Sequence, residues 1–550
     1  MLKLSSFFLV LTVILTFATG LVPVNDYDFF WHLKTGEWIW QNKTLPDKDP
    51  FSFTSLPYEK ADPYRPQTIL KSYWLSQLFF YSLYSLSGFK GIVISRAIVF
   101  CIILFVLWRT MAKDGIDYRL RIIFLIPYIF IIREYQKERP QLFSFLFAPI
   151  VLYLLENLKE ACSVQRLAGS KIHTTRYTLY AILPLIMLLW ANMHGGFLVG
   201  VAFIVAYLVG EWLTYLLPAR YIPDATRCDN APLRFTLVSA ISIACVFLNP
   251  NTYHTITSFL IYYQSILVEV TLEFLSPLKV YSTLSPNWHS YWALLLFTFL
   301  VLVVRFRKFN IPELFILVGT AIASLSAMRY AFFFFVAAIP IIARHTKSFI
   351  VRLSQPMSSS VKSYMKNTVN FSLPVALFVL IYMSPLKNMP LKEDIYQDMF
   401  PSEAVSFLER NNLPGPMFND ATWGGYLIWR LYPEYKVFID PRTLNVEVFG
   451  QYNDIIEASK ATAYAGLPVW KGLLKVYGIN IILTPVADRY SGEILPLIIE
   501  LMKDDEWALV YLDNKASLFL RRTQEAEDFI RAHYFDKKAV WYEISRGKSG

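Results

Sequence analysis

The chain has 550 residues, of which 55% are hydrophobic and 17% aromatic, with a formal net charge of +10 and a mean hydropathy of +0.39. A soluble domain is roughly 45–50% apolar, so the bilayer is the solvent to assume. So large a positive charge would suit a nucleic-acid binder, but the Lys and Arg residues sit mainly between apolar runs, where membrane topology accounts for them, and no nucleic-acid partner is expected.

In chain order, apolar runs such as FFLVLTVILTFATGLV (residues 7–22), AIVFCIILFVLW (97–108) and FLVGVAFIVAYLVG (197–210) recur until about residue 386. They predict a polytopic α-helical membrane protein with about eleven spans, near 4–22, 91–111, 119–133, 140–156, 177–193, 197–217, 233–248, 288–305, 312–328, 331–346 and 370–386. Several are at or below the short end of the roughly 17–25 residues that a core about 30 Å thick requires, so their ends extend into flanking polar residues. With the N-terminus cytoplasmic, twenty Lys and Arg fall in the inner loops and five (Arg133, Lys137, Arg139, Lys279 and Arg329) in the short outer ones. This asymmetry is the positive-inside pattern, and it puts the C-terminal region outside the plasma membrane. YWLSQLFFYSLYSLSG (73–88) is apolar enough to span, but counting it would invert every later loop, so it is read as an amphipathic helix at the outer interface. Cys101, Cys162, Cys228 and Cys245 all fall outside the segments read as external, and no disulfide framework is predicted.

The first outer loop, 23–72, carries Asp26, Asp28, Asp47, Asp49, Glu59 and Asp62. Asp26-Tyr27-Asp28 sets two carboxylates one residue apart just beyond a span, where they can bind a divalent cation or act as general base at a fixed depth; a solvated helix-exit turn reads the same way. The run continues as Phe29-Phe30-Trp31-His32 and later LPDKDPFSFT. Here the sequence resembles the GT-C glycosyltransferases: Asp28-Phe29-Phe30-Trp31-His32 is similar to the acidic, aromatic and His run in the first external loop of oligosaccharyltransferase catalytic subunits, and protein O-mannosyltransferases and aminoarabinose transferases have a comparable acidic loop. The resemblance implies a catalytic transmembrane domain over 1–386 with 23–72 as its long external loop, followed by an extracytoplasmic α/β domain over 387–550. It implies transfer of a sugar or glycan from a polyprenyl-phosphate or polyprenyl-diphosphate donor to a protein, lipid or glycan acceptor, with inversion. Asp28 and Asp26 become the catalytic carboxylates, Mg or Mn the candidate metal, and His32 a donor-positioning residue. It also favours an uncleaved first helix over the signal peptide that the N-terminus equally resembles.

The second outer loop is Arg133-Glu134-Tyr135-Gln136-Lys137-Glu138-Arg139-Pro140, with three of the five short-loop cations. The matching loop of GT-C enzymes contributes acidic residues near the metal or donor, which implies a metal role, shared with Asp28, for Glu134 and Glu138. Arg133, Lys137 and Arg139 suit a lipid phosphate, or else snorkel to the interface. Trp190-Ala191-Asn192-Met193-His194-Gly195-Gly196 forms the third outer turn, where His194 is a donor- or acceptor-positioning candidate or a satisfied interfacial histidine. The fourth, Asn249 to Asn287, places Glu269 and Glu273 four residues apart, on one face if helical. Oligosaccharyltransferases carry a catalytic glutamate on a long external loop in this region, which implies an acceptor-orienting or metal role for these two, although the family's loop motif is absent. Arg329, in SLSAMRY, ends a helix on the outer side and needs an anionic or polar partner, a lipid phosphate or an ordinary headgroup.

The C-terminal region alternates predicted helices (SEAVSFLERN, GGYLIWRL, WKGLLKVYG, LPLIIELMKD) with predicted strands (KVFID, INIILTP, WALVYLD, ASLFLRR), a small α/β fold. Asn419 to Tyr426 is expected to be its exposed centre. Trp423, Gly424, Gly425 and Tyr426 loosely resemble, in a different order, the Trp-Asp-Tyr-Gly region with which oligosaccharyltransferases hold acceptors, so Trp423 and Tyr426 are acceptor-positioning candidates; a helix start packed into the domain is the other reading. Asp440-Pro441-Arg442 either lines the acceptor path or turns the chain. A transporter, a channel or a non-catalytic envelope-assembly protein is the alternative from another class; a transporter predicts ionisable residues and broken helices at mid-membrane.

Overall fold

An apolar run in lipid must satisfy its own backbone groups, and a helix does this within the segment. In the computed structural model, which describes residues 2–56, 65–163, 173–217, 231–257, 271–354, 357–382, 394–464, 466–489 and 491–547, the apolar runs are helical. In chain order the helices are α1 (Leu2–Gly20), α2 (Phe29–Asn42), α3 (Arg65–Ser72), α4 (Trp74–Lys113), α5 (Tyr118–Ile131), α6 (Gln141–Ser163), α7 (His173–Met193), α8 (Phe197–Leu216), α9 (Ala231–Cys245), α10 (His289–Arg305), α11 (Ile311–Ser326), α12 (Ala331–Ser354) and α13 (Ser359–Tyr382). A helix occupies each of the eleven predicted span positions, but length and composition single out fewer. Among the described residues five stretches are long and apolar enough to cross a membrane (Trp74–Lys113, Gln141–Lys159, Phe197–Leu216, Pro286–Lys308 and Met328–Val351), and four shorter apolar helices accompany them. The two positions outside both groups carry more charge: α5 has Arg119 and Arg121 and runs on into the turn with Arg133 and Glu134, and α13 has Lys362 and Lys366 near its start. Helix α4 takes in both the predicted interfacial segment and the span after it. Gly88 divides it, at φ 63° and ψ −159°, a conformation open to glycine and strained for other residues.

The chain forms two compact units, one of Met1–Val24 with Leu83–Lys392, the other of Asn25–Ser82 with Glu393–Gly550. The segment predicted as the first external loop thus groups with the C-terminal region. Within the helical unit, one end of the bundle holds a partly buried ionic cluster. Arg344 of α12 donates to Asp114 (2.8 Å) and Glu156 of α6 (2.9 Å) and also pairs with Glu313 of α11. Glu313 is held further by His345 (3.1 Å) and by a capping box with Asn310. Three carboxylates on separate segments are tied to one guanidinium, whose planar fork suits several acceptors at once.

In the second unit the helices continue as α14 (Ser402–Asn411), α15 (Gly424–Leu431), α16 (Val446–Ile456), α17 (Val469–Val476), α18 (Pro496–Lys503), α19 (Glu527–His533) and α20 (Lys537–Gly547). The strands β1 (Met417–Asn419), β4 (Ile481–Thr484), β5 (Trp507–Leu512) and β6 (Ser517–Arg521) form a sheet in the order β1-β4-β6-β5, with β1 parallel to β4 and the other pairs antiparallel; β2 (Thr462–Tyr464) and β3 (Leu467–Pro468) make a separate hairpin. Phe418, Phe438, Trp470, Ile482, Leu509 and Phe519 are among its core residues. The predicted strand KVFID is not in the sheet. Ser52 and Val437 form a parallel bridge, and the Asn419 side-chain amide bonds Phe438 N–H and Ile439 O at 2.8 Å each, so an isolated bridge and a side chain, rather than ladder hydrogen bonds, satisfy that backbone. Nor is Asn419–Tyr426 an exposed centre: Asn419, Trp423 and Tyr426 are all buried.

Candidate functional site

In the helical unit the loops predicted to lie outside are bonded to one another. The second loop makes a short 3-10 turn, Ile132–Tyr135, at the end of α5. From it Tyr135 donates to Met328 O (2.6 Å), and the Met328 N–H donates to Leu275 O (3.0 Å). Arg139 pairs with Glu273 at 2.6 Å, and Glu134 accepts from Ser285 (2.5 Å) and Asn287 (2.6 Å). Arg329, in the 3-10 turn Met328–Tyr330, lies over the Phe274 ring with its guanidinium carbon 4.3 Å from the centroid. The structure therefore brings Glu134, Arg139, Glu273 and Arg329 onto one set of interlocked segments. Arg133, Lys137 and Arg329 form no ion pair among the described residues. Glu269 lies outside the described residues.

Glu138 is fully buried and pairs with Arg96 of α4, itself fully buried. Arg96 also donates to Gly20 O (2.8 Å) and Gln136 O (3.0 Å) and bonds Val22 O. The carbonyl of Gly20, the last residue of α1, and that of Val22 just beyond it are thus bound by a side chain from α4. No sequence motif marks Arg96, although a lone arginine inside an apolar run is itself a signal.

His194 follows α7, with Nδ1 2.6 Å from Ser144 Oγ and 2.9 Å from the Gly196 N–H. Trp190 Nε1 donates to the same Ser144 oxygen at 2.7 Å. Neither Ser144 nor Trp190 carried a functional signal in sequence, because each reads as an ordinary core residue of a span.

In the second unit, Asp26 is buried and its Oδ1 accepts the Asp28 N–H at 2.7 Å, while Asp28 occupies the N-cap of α2. The positive end of the helix dipole favours negative charge there. The apolar face of α2 explains why the following aromatics are present: Phe30 meets Phe400 (5.0 Å between centroids), Tyr426 (5.2 Å) and Trp429 (5.2 Å). Gly425 lets α15 come this close, since a Cβ there would stand 2.5 Å from Tyr27 O. His32 is buried and bonds Gln77 at 3.2 Å. Trp423 donates to Met399 O (3.2 Å), and the Tyr426 hydroxyl accepts from Arg430 (2.8 Å). The expectation that Trp423 and Tyr426 are presented to an acceptor is corrected on this point: both are packed inside the domain, with the helix start as the reason for the Trp-Gly-Gly-Tyr run.

Asp440-Pro441-Arg442 is a buried tie. Arg442 donates to Asp440 through Nε and Nη2 at 2.7 Å each, and to Asp49 through Nη1 and Nη2 at 2.9 and 3.2 Å. Burial alone would lower the pKa of this guanidinium; Asp440 and Asp49 together outweigh it and raise it.

Among the described residues no three His, Cys, Asp or Glu side chains form a group that could hold a metal ion. Glu134 is committed to Ser285 and Asn287 and Glu138 to Arg96 through Oε1, leaving only its buried Oε2 without a partner. Among the described residues of the helical unit, Glu134 and Glu138 are thus each tied to other partners rather than to a shared metal position.

No family model matches the chain, and no curated protein does either. Solved structures do match. The Archaeoglobus fulgidus oligosaccharyltransferase tethered with an acceptor peptide containing the NVT sequon gives a TM-score of 0.54 at 10% identity, over 94% of this chain and 74% of that one. Its apo form gives 0.55 at 11%, over 95% and 75%. The archaeal oligosaccharyltransferase AglB from the same organism, in complex with an inhibitory peptide and a dolichol-phosphate, gives 0.52 at 9%, over 94% and 74%. At this identity the likeness is one of fold, and the fold is similar to that of the archaeal oligosaccharyltransferases.

Proposed function

We propose that the chain is an integral-membrane glycosyltransferase, transferring a sugar or glycan from a polyprenyl-phosphate or polyprenyl-diphosphate donor to an acceptor on the extracytoplasmic face of the plasma membrane. One observation carries this reading: Arg133, Lys137 and Arg329 form no ion pair among the described residues, and they stand on interlocked loops of a fold shared with oligosaccharyltransferases. Cations left unpaired near a bilayer are costly unless an anion meets them, and a lipid-linked phosphate is such an anion. The neighbours' dolichol-phosphate and acceptor peptide support the same pairing of ligands, with a peptide as the first acceptor to try.

The reaction is a direct displacement. The acceptor's nucleophilic atom forms a bond to the anomeric carbon as the bond from that carbon to the phosphate oxygen breaks, and configuration inverts. The leaving phosphate keeps the electron pair, and Arg133, Lys137, Arg139 and Arg329 stabilise its growing charge. The acceptor's proton passes to the Asp28 or Asp26 carboxylate, a positioned base of the kind that contributes about 10²–10⁴-fold.

The test is transfer of radiolabelled sugar from lipid-linked donors in membranes holding matched amounts of wild type or Asp28→Ala. Loss of transfer by about 10²-fold or more is expected. Transfer unchanged by the substitution removes Asp28 from the mechanism, and no transfer from any donor by the wild type counts against the glycosyltransferase.

A further inference from the structure

The chain contains two Asn-x-Ser/Thr tripeptides, Asn42-Lys43-Thr44 and Asn370-Phe371-Ser372. The pattern is that of an N-linked glycosylation acceptor, and it requires an accessible side chain on the side of the membrane where glycan is added. The two tripeptides separate on both counts. Asn370 lies in α13, at the start of the last predicted span and next to the inner loop that ends with Lys366. Its Oδ1 accepts from Tyr118 Oη (2.8 Å) and Arg119 Nε (2.5 Å). Asn42 falls instead in the region that the charge tally puts outside, and residues 41–44 are all exposed. The local fold presents it. α2 ends on Asn42, and Lys43, at φ 56° and ψ 25°, closes the helix with its N–H on Ile39 O at 2.9 Å. A left-handed residue at that place turns the chain out of the helix, so Thr44 leads away from it. Asn42 Nδ2 donates to Trp38 O at 2.8 Å, one turn back, and Thr44 Oγ1 is 3.5 Å from Leu45 O. Both bonds are local, exposed and at a helix end, where a partner can replace them without opening the domain.

We propose that Asn42 is an acceptor for this protein's own transfer reaction, N-glycosylated by a second copy of the chain. The inference rests on the glycosyltransferase reading and names a peptide acceptor for it. Asn42 Nδ2 forms a bond to the anomeric carbon as the bond from that carbon to the phosphate oxygen breaks. The phosphate leaves with the electron pair, and the proton that the amide nitrogen gives up passes to the carboxylate base. Asn42 cannot serve its own copy. Asp28 caps one end of the 14-residue α2 and Asn42 is its other end, about 20 Å away at 1.5 Å per residue, so a single rigid helix keeps the two apart.

The test is made on the full chain purified from its native membranes, where its donor is present, by mass spectrometry of the peptide that holds Asn42. An added mass of whole monosaccharide residues is expected, kept in Thr44→Ser, absent from Asn42→Gln and Thr44→Val, and indifferent to Asn370→Gln. Below full occupancy the modified fraction should rise with the amount of chain in the membrane, because one copy acts on another; a fraction independent of that amount overturns transfer between copies. To identify the enzyme, a synthetic peptide of residues 37–48 is incubated with membranes from cells that hold or lack the chain, and its glycosylation should require the chain. A bare Asn42 in a chain whose membranes glycosylate the peptide overturns the site and leaves the glycosyltransferase reading standing. Peptide modified equally without the chain assigns Asn42 to another enzyme and overturns self-modification. If neither Asn42 nor the peptide is modified, the inference falls, and transfer of radiolabelled sugar from lipid-linked donors decides the glycosyltransferase reading by itself.

Discussion

Arg442 concentrates more interaction than any motif around it announced. Its guanidinium serves two buried carboxylates, and its carbon lies 5.6 Å from the Trp31 ring centroid and 5.5 Å from that of Phe51. Asp49 is fixed in turn by the Phe51 and Ser52 amides at 3.3 and 3.1 Å. Replacing Arg442 with Met would strand two carboxylates without their counter-ion, and breaking a buried pair in this way costs about 3–5 kcal/mol. Thermal unfolding of the purified full chain in detergent should show that loss, and Arg442→Lys should recover only part of it, because an ammonium cannot make the forked contacts. A Met variant that melts with the wild type would mean the carboxylates find other partners. In sequence this contact was out of sight. Asp440-Pro441-Arg442 was legible as a loop with two possible uses, Asp49 as one acid among six, and the two partners stand 393 residues apart.

At the scale of elements, periodicity and apolar runs located the helices well, because a helix in lipid satisfies its backbone from its own sequence. What decides how one element meets the next was less legible. Strand KVFID failed because its partners are Ser52 and the Asn419 side chain rather than a neighbouring strand, and β1 was missed because three residues carry too little pattern. The end of α1 is a similar case. Arg96, Glu138 and the carbonyls of Gly20 and Val22 come from three segments, and only the lone arginine within an apolar run hinted at them. Arg96→Met leaves a buried carboxylate unpaired and should cost about 3–5 kcal/mol. Glu138→Gln removes the opposite charge, and the double variant should be less destabilised than the sum of the singles, with a coupling of about 0.5–3 kcal/mol for residues in contact. Thermal melts of the four proteins complete the cycle; strict additivity would show that Arg96 works through the α1 carbonyls alone.

At the scale of the whole molecule, the fold common to this chain and the archaeal oligosaccharyltransferases does not by itself say which side of the membrane the loops occupy, whereas the chain's own charges make a definite claim. Twenty Lys and Arg against five divide the short loops, a bias that sets orientation during insertion. The claim can be read without any enzymatic assay. Gln524, in the C-terminal unit, and Lys308, after α10, are both exposed. In a chain whose four cysteines are replaced by Ser, Gln524→Cys should react with a membrane-impermeant maleimide added to intact spheroplasts, and Lys308→Cys only after permeabilisation. Labelling of both positions from outside would break the alternation on which the tally depends. The reverse pattern would turn the protein over, placing Arg133, Lys137 and Arg329 against the cytoplasmic leaflet, where soluble nucleotide-linked donors compete with lipid-linked ones and the case for a polyprenyl donor would have to be made afresh.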